Sequence, residues 1–518
     1  VISDHTIPMR WFSFLVSLLV SVIVPWVAAA ADDLTPARIP EGLCAARIFG
    51  DHMILQRQKP VTIWGWAKAG ETVTVSFAGQ SKTATAGTGR LWRVTLEPME
   101  ASFEGRELTV TSPGGALTFR DVLVGEVWHC GGQSNMSFPL WVRTDGFEEK
   151  DADKFPFIRA MATLHGEFAD PPYDVKKTAS GDPWLIWALP DPQPTLPFDR
   201  PWMVFGKEAL GLHGQPFSAF GFWFARKLYE ELKVPIGLVD TSVGGTLAHY
   251  WASPELLRGV PEMKEILARP SPPWVPGCLY HTTILPIRDF AMRGSLFYLG
   301  ENNSMDPVFT RAFEGSCRAV IASWRDAFRD PAHPFCLIQT GNCGPQPELY
   351  GPSGFQIVQE AQLRIQQTTP HTGITVTADE LHGDLHNMRK QAPAERTVRW
   401  AMAEVYGRKD KAQPWGSPVL VSHEARSGRL VLEFRLMGDD ALTLRAEPSG
   451  FVIAGSDRKF IEAKAKVIGP RIVEVWNESM AEPVAARFGW AGRPILNLWT
   501  TSGLPVSPFR TDPWSMDP

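Results

Sequence analysis

Val122-Leu-Val-Gly-Glu-Val-Trp-His-Cys130 runs directly into Gly131-Gly-Gln-Ser-Asn-Met136, and this junction decides the fold. The first stretch is a short apolar run, which predicts a buried strand ending at Cys130. A serine placed where a strand breaks into a glycine-flanked turn can present its hydroxyl to a cleft. That is the logic of a strand-to-turn nucleophile, although the string is not the G-x-S-x-G elbow. Gln133 and Asn135 put polar groups on either side of Ser134. Gly, Ser and Asn are also common turn residues, so the surrounding chain has to decide between a turn and a site.

Downstream, strands and helices alternate. Helical spacing covers Phe222 to Leu232, followed by a strand at Ile236-Gly-Leu-Val-Asp240. Gly294 to Leu299 reads as a strand, Val308 to Phe328 as a helix, and Phe335 to Gln339 as a strand. A helix over Gly354–Gln367, a strand over Ile374–Thr377 and a helix over Glu395–Tyr406 complete the series. This alternation predicts a parallel sheet covered by helices on both faces. Sites in such folds lie beyond the carboxyl ends of the strands.

An ester-cleaving serine site needs a nucleophile, a base, a group that orients the base, and donors for the oxyanion. Each has a candidate just after a predicted strand. In Val239-Asp-Thr-Ser-Val-Gly-Gly-Thr246, Gly244 and Gly245 allow a backbone N–H to approach an oxyanion unobstructed. In Gly300-Glu301-Asn302-Asn303, the Asn303 amide is a neutral donor that can face a developing alkoxide. Gly383-Asp384-Leu-His386-Asn387 offers an imidazole base and a carboxylate to hold its tautomer. Asp379 and His382 form a second Asp/His pair close by. Taken singly, each block is an ordinary polar turn.

The set resembles the sialate O-acetylesterase-like branch of the SGNH (GDSL-like) hydrolases. Gly125-Glu-Val-Trp128 and Gly132-Gln-Ser-Asn-Met136 are similar to that branch's nucleophile block, and the resemblance extends from about Ile48 to Trp514. It implies Ser134 as nucleophile, His386 as base, Asp384 as its orienting carboxylate, and Gly244, Gly245 and Asn303 at the oxyanion hole. Gln133, Asn135 and Glu301 are expected at the substrate. His386 is preferred over His382 because Lys390-Gln391 matches the string that follows the family's histidine. Val243, Leu299, Asn302 and Asn387 depart from the family pattern, which usually has Trp, Gln, Ser and Pro there. The implied fold is an α/β three-layer sandwich with a parallel sheet, flanked by β-rich regions. The implied activity is removal of O-acetyl groups from acetylated sugars, whether sialic acid or polysaccharide, without metal or organic cofactor. Two alternatives are a carbohydrate-binding protein with an inactive core and a glycosidase. The latter would need paired acids such as Glu301 and Asp384 across a cleft.

The 518-residue length suggests about three domains. The expected organisation is a signal peptide over 1–31, a β-sandwich over 40–120, the α/β region over 121–412 and a β-rich region over 413–518. The stretch 143–217 reads as an irregular insertion rich in Pro, Asp and Trp, with its tryptophans pinning the loop. Arg10, the apolar run Trp11–Val27 and Ala28–Ala31 fit a cleavable export signal, in preference to an uncleaved anchor helix. Export to a periplasmic or extracellular location, with no stable membrane insertion after cleavage, is therefore expected. A net charge of −5 gives no basic footprint for nucleic acid. Six cysteines in so long a chain are not a disulfide scaffold, and no Cys/His spacing resembles a zinc site.

Overall fold

The computed structural model describes residues 42–46, 48–140, 153–162, 202–206, 218–268, 275–341, 343, 354–379, 385–410, 412–446, 449–491 and 496–515. At its centre lies a mixed sheet built on one long strand, β1 (Gly115–Gly132). The other strands of this sheet are β2 (Ile158–Ala162), β3 (Met203–Val204), β4 (Ile236–Asp240), β5 (Gly294–Tyr298), β6 (Phe335–Ile338) and β7 (Thr372–Thr375). Their spatial order is β3-β2-β4-β1-β5-β6-β7, and every pairing along it is parallel except that of the edge strand β3 with β2.

The strands are short apolar runs because both faces are covered. On one face, Trp128, Cys130, Leu238, Leu296, Tyr298, Cys336 and Ile338 pack with helices α1 (Ala219–Leu232) and α4 (Gln391–Trp400). The intervening residues Phe297, Phe335 and Leu337 belong to a second core with α2 (Pro307–Ala327) and α3 (Gly354–Thr368). Local signals set the helix ends. Ser218 Oγ caps α1 by accepting the Gly221 N–H at 2.9 Å. Asp306 caps α2 by accepting the Val308 N–H at 2.7 Å, with Pro307 at the first helical position.

Strand β1 also belongs to an N-terminal β-layer. Its first half pairs antiparallel with Ser102–Ser112, so one strand crosses the expected boundary at residue 120 without a break. A three-stranded sheet of Cys44–Ala45, Val61–Trp66 and Leu91–Leu96 packs Ile63, Trp64 and Val94 in the same core as Val73, Val75 and Leu108. The C-terminal region holds two four-stranded sheets, with Leu432, Phe434 and Val473 meeting Phe451, Ile453 and Phe488 in one core.

The stretch read as irregular, 143–217, contains two strands of the central sheet. Ile158–Ala162 lies between β4 and β3 and is buried along most of its length. Arg159 within it is buried because its guanidinium binds the Asp121 carboxylate at 2.9 Å and the carbonyls of His52 and Asp121. Trp202 is buried and donates to the Ile48 carbonyl at 2.7 Å, so it pins the segment; Trp184 and Trp187 lie outside the described residues. Cys44, Cys130, Cys278, Cys317 and Cys336 are free thiols.

A buried ionic junction joins the N-terminal layer to the sheet. Glu126 on β1 is completely buried and accepts from Arg57 Nε at 2.5 Å and Arg293 Nε at 2.7 Å. Gln56 adds a third donor at 3.1 Å. Burial raises the carboxyl pKa, but the Arg293 and Arg57 contacts outweigh it and hold Glu126 below the usual range. Breaking one partner of such a pair leaves buried charge uncompensated. Glu126→Gln should therefore cost about 3–5 kcal/mol in denaturant-induced unfolding. A loss below about 1 kcal/mol would show that the arginines find other partners.

Candidate active site

The carboxyl ends of β1, β4, β5 and β7 lie on the same edge of the sheet, and the four blocks follow them. After β1 the chain turns at Gly132, whose φ is +126°. A Cβ there would lie 2.2 Å from the Tyr298 carbonyl oxygen, so glycine is the residue that allows β1 and β5 to close up. Gln133 N–H donates to the same carbonyl at 2.9 Å, and a one-turn helix, Ser134–Ser137, begins immediately. Ser134 is half-buried and lies at the mouth of this turn.

His386 Nε2 lies 2.9 Å from Ser134 Oγ, although the two are 252 residues apart. With the ring proton on Nδ1, Nε2 accepts the serine hydroxyl. Phe138 stacks on the imidazole, with ring centroids 5.8 Å apart. Asp384, the expected partner of His386, lies outside the described residues, as does His382. Asp379 is described and is engaged elsewhere: Arg396 grips it with two bonds of 2.8 and 2.6 Å.

Of the glycine pair, Gly244 lies against the serine. A Cβ built on Gly244 would fall 3.7 Å from Ser134 Cβ. Gly245 has φ +74°, a left-handed conformation that favours glycine. The backbone is registered to β1 by Val243 N–H donating to the Gly132 carbonyl at 2.9 Å. Asn302 Nδ2 donates to the Gly245 carbonyl at 2.6 Å. The sequence marked Asn302 only as a departure from the family pattern; its contact ties the third block to the second. Asn303 is buried and its Oδ1 accepts the Ala248 N–H at 3.1 Å. This fixes the amide orientation, and its Nδ2 has no acceptor among the described residues.

Gln133, Asn135 and Glu301, expected at the substrate, are buried side chains. Each is 1% exposed. Glu301 takes Gln133 Nε2 on one oxygen and Asn135 Nδ2 on the other, the latter at 2.6 Å. The two amide nitrogens thus converge on one carboxylate next to Ser134. Leu299 is also buried, in the core shared with α2 and α3, and is not at the rim.

Burial sets the electrostatics next to the site. Asp240, at the end of β4, is pushed up to about 7 by burial, against the opposing pull of Ser242 N–H and Oγ at 2.9 and 2.6 Å. His129 on β1 and His333 bridge through Ser295, at 3.3 and 2.8 Å, and His129 also meets Thr241 Oγ1 at 2.8 Å. Burial pulls both imidazoles down to about 3.

Residues 196–408 match the family described as "Carbohydrate esterase, sialic acid-specific acetylesterase". The sialate O-acetylesterase of Rattus norvegicus is 26% identical over 464 residues, covering 76% of this chain and 79% of that protein. The Homo sapiens sialate O-acetylesterase is 28% identical over 432 residues, covering 76% and 77%. Among solved structures, a carbohydrate acetylesterase from Xanthomonas citri superposes with a TM-score of 0.75 at 29% identity, covering 91% of this chain and 100% of that one. With the site geometry above, these likenesses define a carboxylic-ester hydrolase. Over about three quarters of its length the chain is similar to sialate O-acetylesterases.

The depressed histidines give a signed pH prediction. Unfolded, His129 and His333 would titrate near 6.5; folded, they stay neutral to about 3. Protons therefore bind the unfolded chain preferentially in that window. The stability these residues contribute is complete above pH 6.5 and is lost as pH falls toward 3. Asp240 works the other way between 3.8 and about 7, and two imidazoles outweigh one carboxyl. The melting temperature should fall as pH drops from about 6.5 to about 4, with both imidazoles neutral by nitrogen-15 NMR of the folded protein. Titration of either ring near 6.5 in the folded state would contradict this.

Proposed function

We propose that this chain removes O-acetyl groups from acetylated carbohydrates through a serine-bound acyl-enzyme. The observation that carries the reading is the 2.9 Å approach of His386 Nε2 to Ser134 Oγ at the carboxyl edge of a parallel sheet. The distance is within direct proton-transfer reach. In the reaction, Ser134 Oγ attacks the acetyl carbonyl carbon while His386 takes the hydroxyl proton. The carbonyl oxygen becomes an oxyanion. Gly244 or Gly245 N–H, the Asn303 amide and the Ser134 N–H are its proposed donors, which stabilise charge that exists only in the transition state. As the tetrahedral species collapses, the ester C–O bond breaks and His386 returns its proton to the sugar oxygen. Water, deprotonated by His386, then attacks the acyl-serine and releases acetate. Asp384 is proposed to hold the imidazole tautomer and offset the imidazolium charge.

The substrate class rests on the relatives' names: sialate esters for the mammalian enzymes, a carbohydrate ester for the bacterial one. The helices on both sheet faces suit an SGNH-type three-layer sandwich. Export is proposed from the apolar N-terminal segment alone, which lies outside the described residues; no helix among the described residues is long and apolar enough to cross a membrane. The glycosidase alternative is weakened because Glu301, one of its two acids, is buried under two amide donors.

Acetate release across a panel of acetylated sialic acids and polysaccharides tests the reading. Ser134→Ala should remove on the order of 10³-fold or more of the activity in a folded protein, because triad members act as a unit. Full activity in that variant would assign the nucleophile elsewhere. Asn303→Ala should lower kcat by about 10²–10³-fold with little change in KM. An effect on KM alone would make Asn303 a substrate contact instead.

A further inference from the structure

Next to the nucleophile lies a buried polar array that the chemistry above does not use. Its centre is the Asn135 side-chain amide. Asn135 Nδ2 donates to Glu301 Oε1 at 2.6 Å and to the Leu385 carbonyl at 3.1 Å. Asn135 Oδ1 accepts from Lys390 Nζ at 2.6 Å. Lys390 is completely buried, with its ammonium 4.9 Å from the Tyr298 ring centroid and 5.7 Å from that of Phe138. Glu301 takes Gln133 on its second oxygen. One amide therefore joins the residue after the nucleophile, the block after β5, and both ends of the segment 385–390 that carries His386.

The donors and acceptors fix each partner. Glu301 receives N–H groups on both oxygens, contacts that favour its ionised form against a burial that pushes its pKa up. Lys390 has only protons to give, so it must face Asn135 Oδ1, and Nδ2 must face Glu301 and Leu385. Neither the amide nor the charged groups can flip without leaving a buried group unpaired, which is costly. Leu385 immediately precedes His386. Its carbonyl is held by the residue that follows Ser134, so the distance from nucleophile to imidazole is set through this amide.

From this geometry we infer that Asn135 is a positioning residue, held by Glu301 and Lys390, that sets the reach of His386 to Ser134 by holding the Leu385 carbonyl. The inference rests on His386 being the base, and the test separates the two. Asn135→Ala should lower kcat on the order of 10²-fold, the scale of a misplacement near 1 Å, with KM within about threefold. Inactivation by a small fluorophosphonate, which needs the serine and its base but no sugar contact, should slow by the same factor. The distinguishing arm is a double-mutant cycle. In the His386→Ala background, Asn135→Ala should cause no further loss, because the residue it positions is already gone. If Asn135→Ala does not fold, Asn135→Asp carries the test: it keeps the size and the acceptor for Lys390 but replaces the donor with an oxygen facing Glu301. Additive losses in the cycle, or a KM effect with unchanged fluorophosphonate reactivity, would overturn the positioning role. A His386→Ala variant with full activity would instead overturn the reading of the base.

Discussion

The site depends on closing a 252-residue loop to within hydrogen-bond distance. No local interaction can hold Ser134 against His386; the parallel sheet does it. Parallel strands place all their carboxyl ends on one edge, so turns that follow β1, β4, β5 and β7 meet although they are far apart in the chain. Strand β1 is the axis of that arrangement. It pairs with β4 on one side and β5 on the other, and its upstream half continues into the N-terminal β-layer. The Glu126 junction with Arg57 and Arg293 locks this strand where the two layers meet. Ser134 therefore follows a strand that is paired on both sides and shared by both layers.

Around it, the fine geometry is held by polar groups chosen for their donor and acceptor sets. Asn302 reaches across to the Gly245 carbonyl, and Asn303 is oriented by the Ala248 N–H. Arg396 takes Asp379 at the foot of the histidine segment, and its guanidinium lies 5.6 Å from the Trp499 ring centroid in the C-terminal region. Arg399 also donates to the Ser502 carbonyl at 3.1 Å. The C-terminal β-region thus braces the helix that follows the histidine, although it supplies none of the reacting groups proposed here.

Much of this was legible in the sequence, for physical reasons. The strands of the central sheet are apolar on both faces, and the four blocks carry glycines and polar residues at the points where strands stop. Strand Ile158–Ala162 was not legible, because Ile-Arg-Ala-Met-Ala lacks β-branched alternation and its arginine reads as exposed. Only the distant Asp121 carboxylate and two carbonyls make Arg159 a buried residue. The burial of Gln133, Asn135 and Glu301 was not legible for a related reason. Proximity to Ser134 in sequence says that a polar side chain is near the site, but not whether it faces the cleft or the core. That direction is set by Glu301, Leu385 and Lys390, each from a remote segment, and no spacing rule reports it. Asn302 read as a loss against the family pattern, whereas its longer side chain spans to the glycine pair.

The central claim is that Ser134, activated by His386, carries the acyl group. Mass spectrometry of the protein quenched in acid during turnover of an acetyl ester measures this directly. The account predicts one acetyl group on the peptide containing Ser134, absent from the His386→Ala variant. Acetyl on a different residue, or an equal acetyl load on Ser134 without His386, would contradict it.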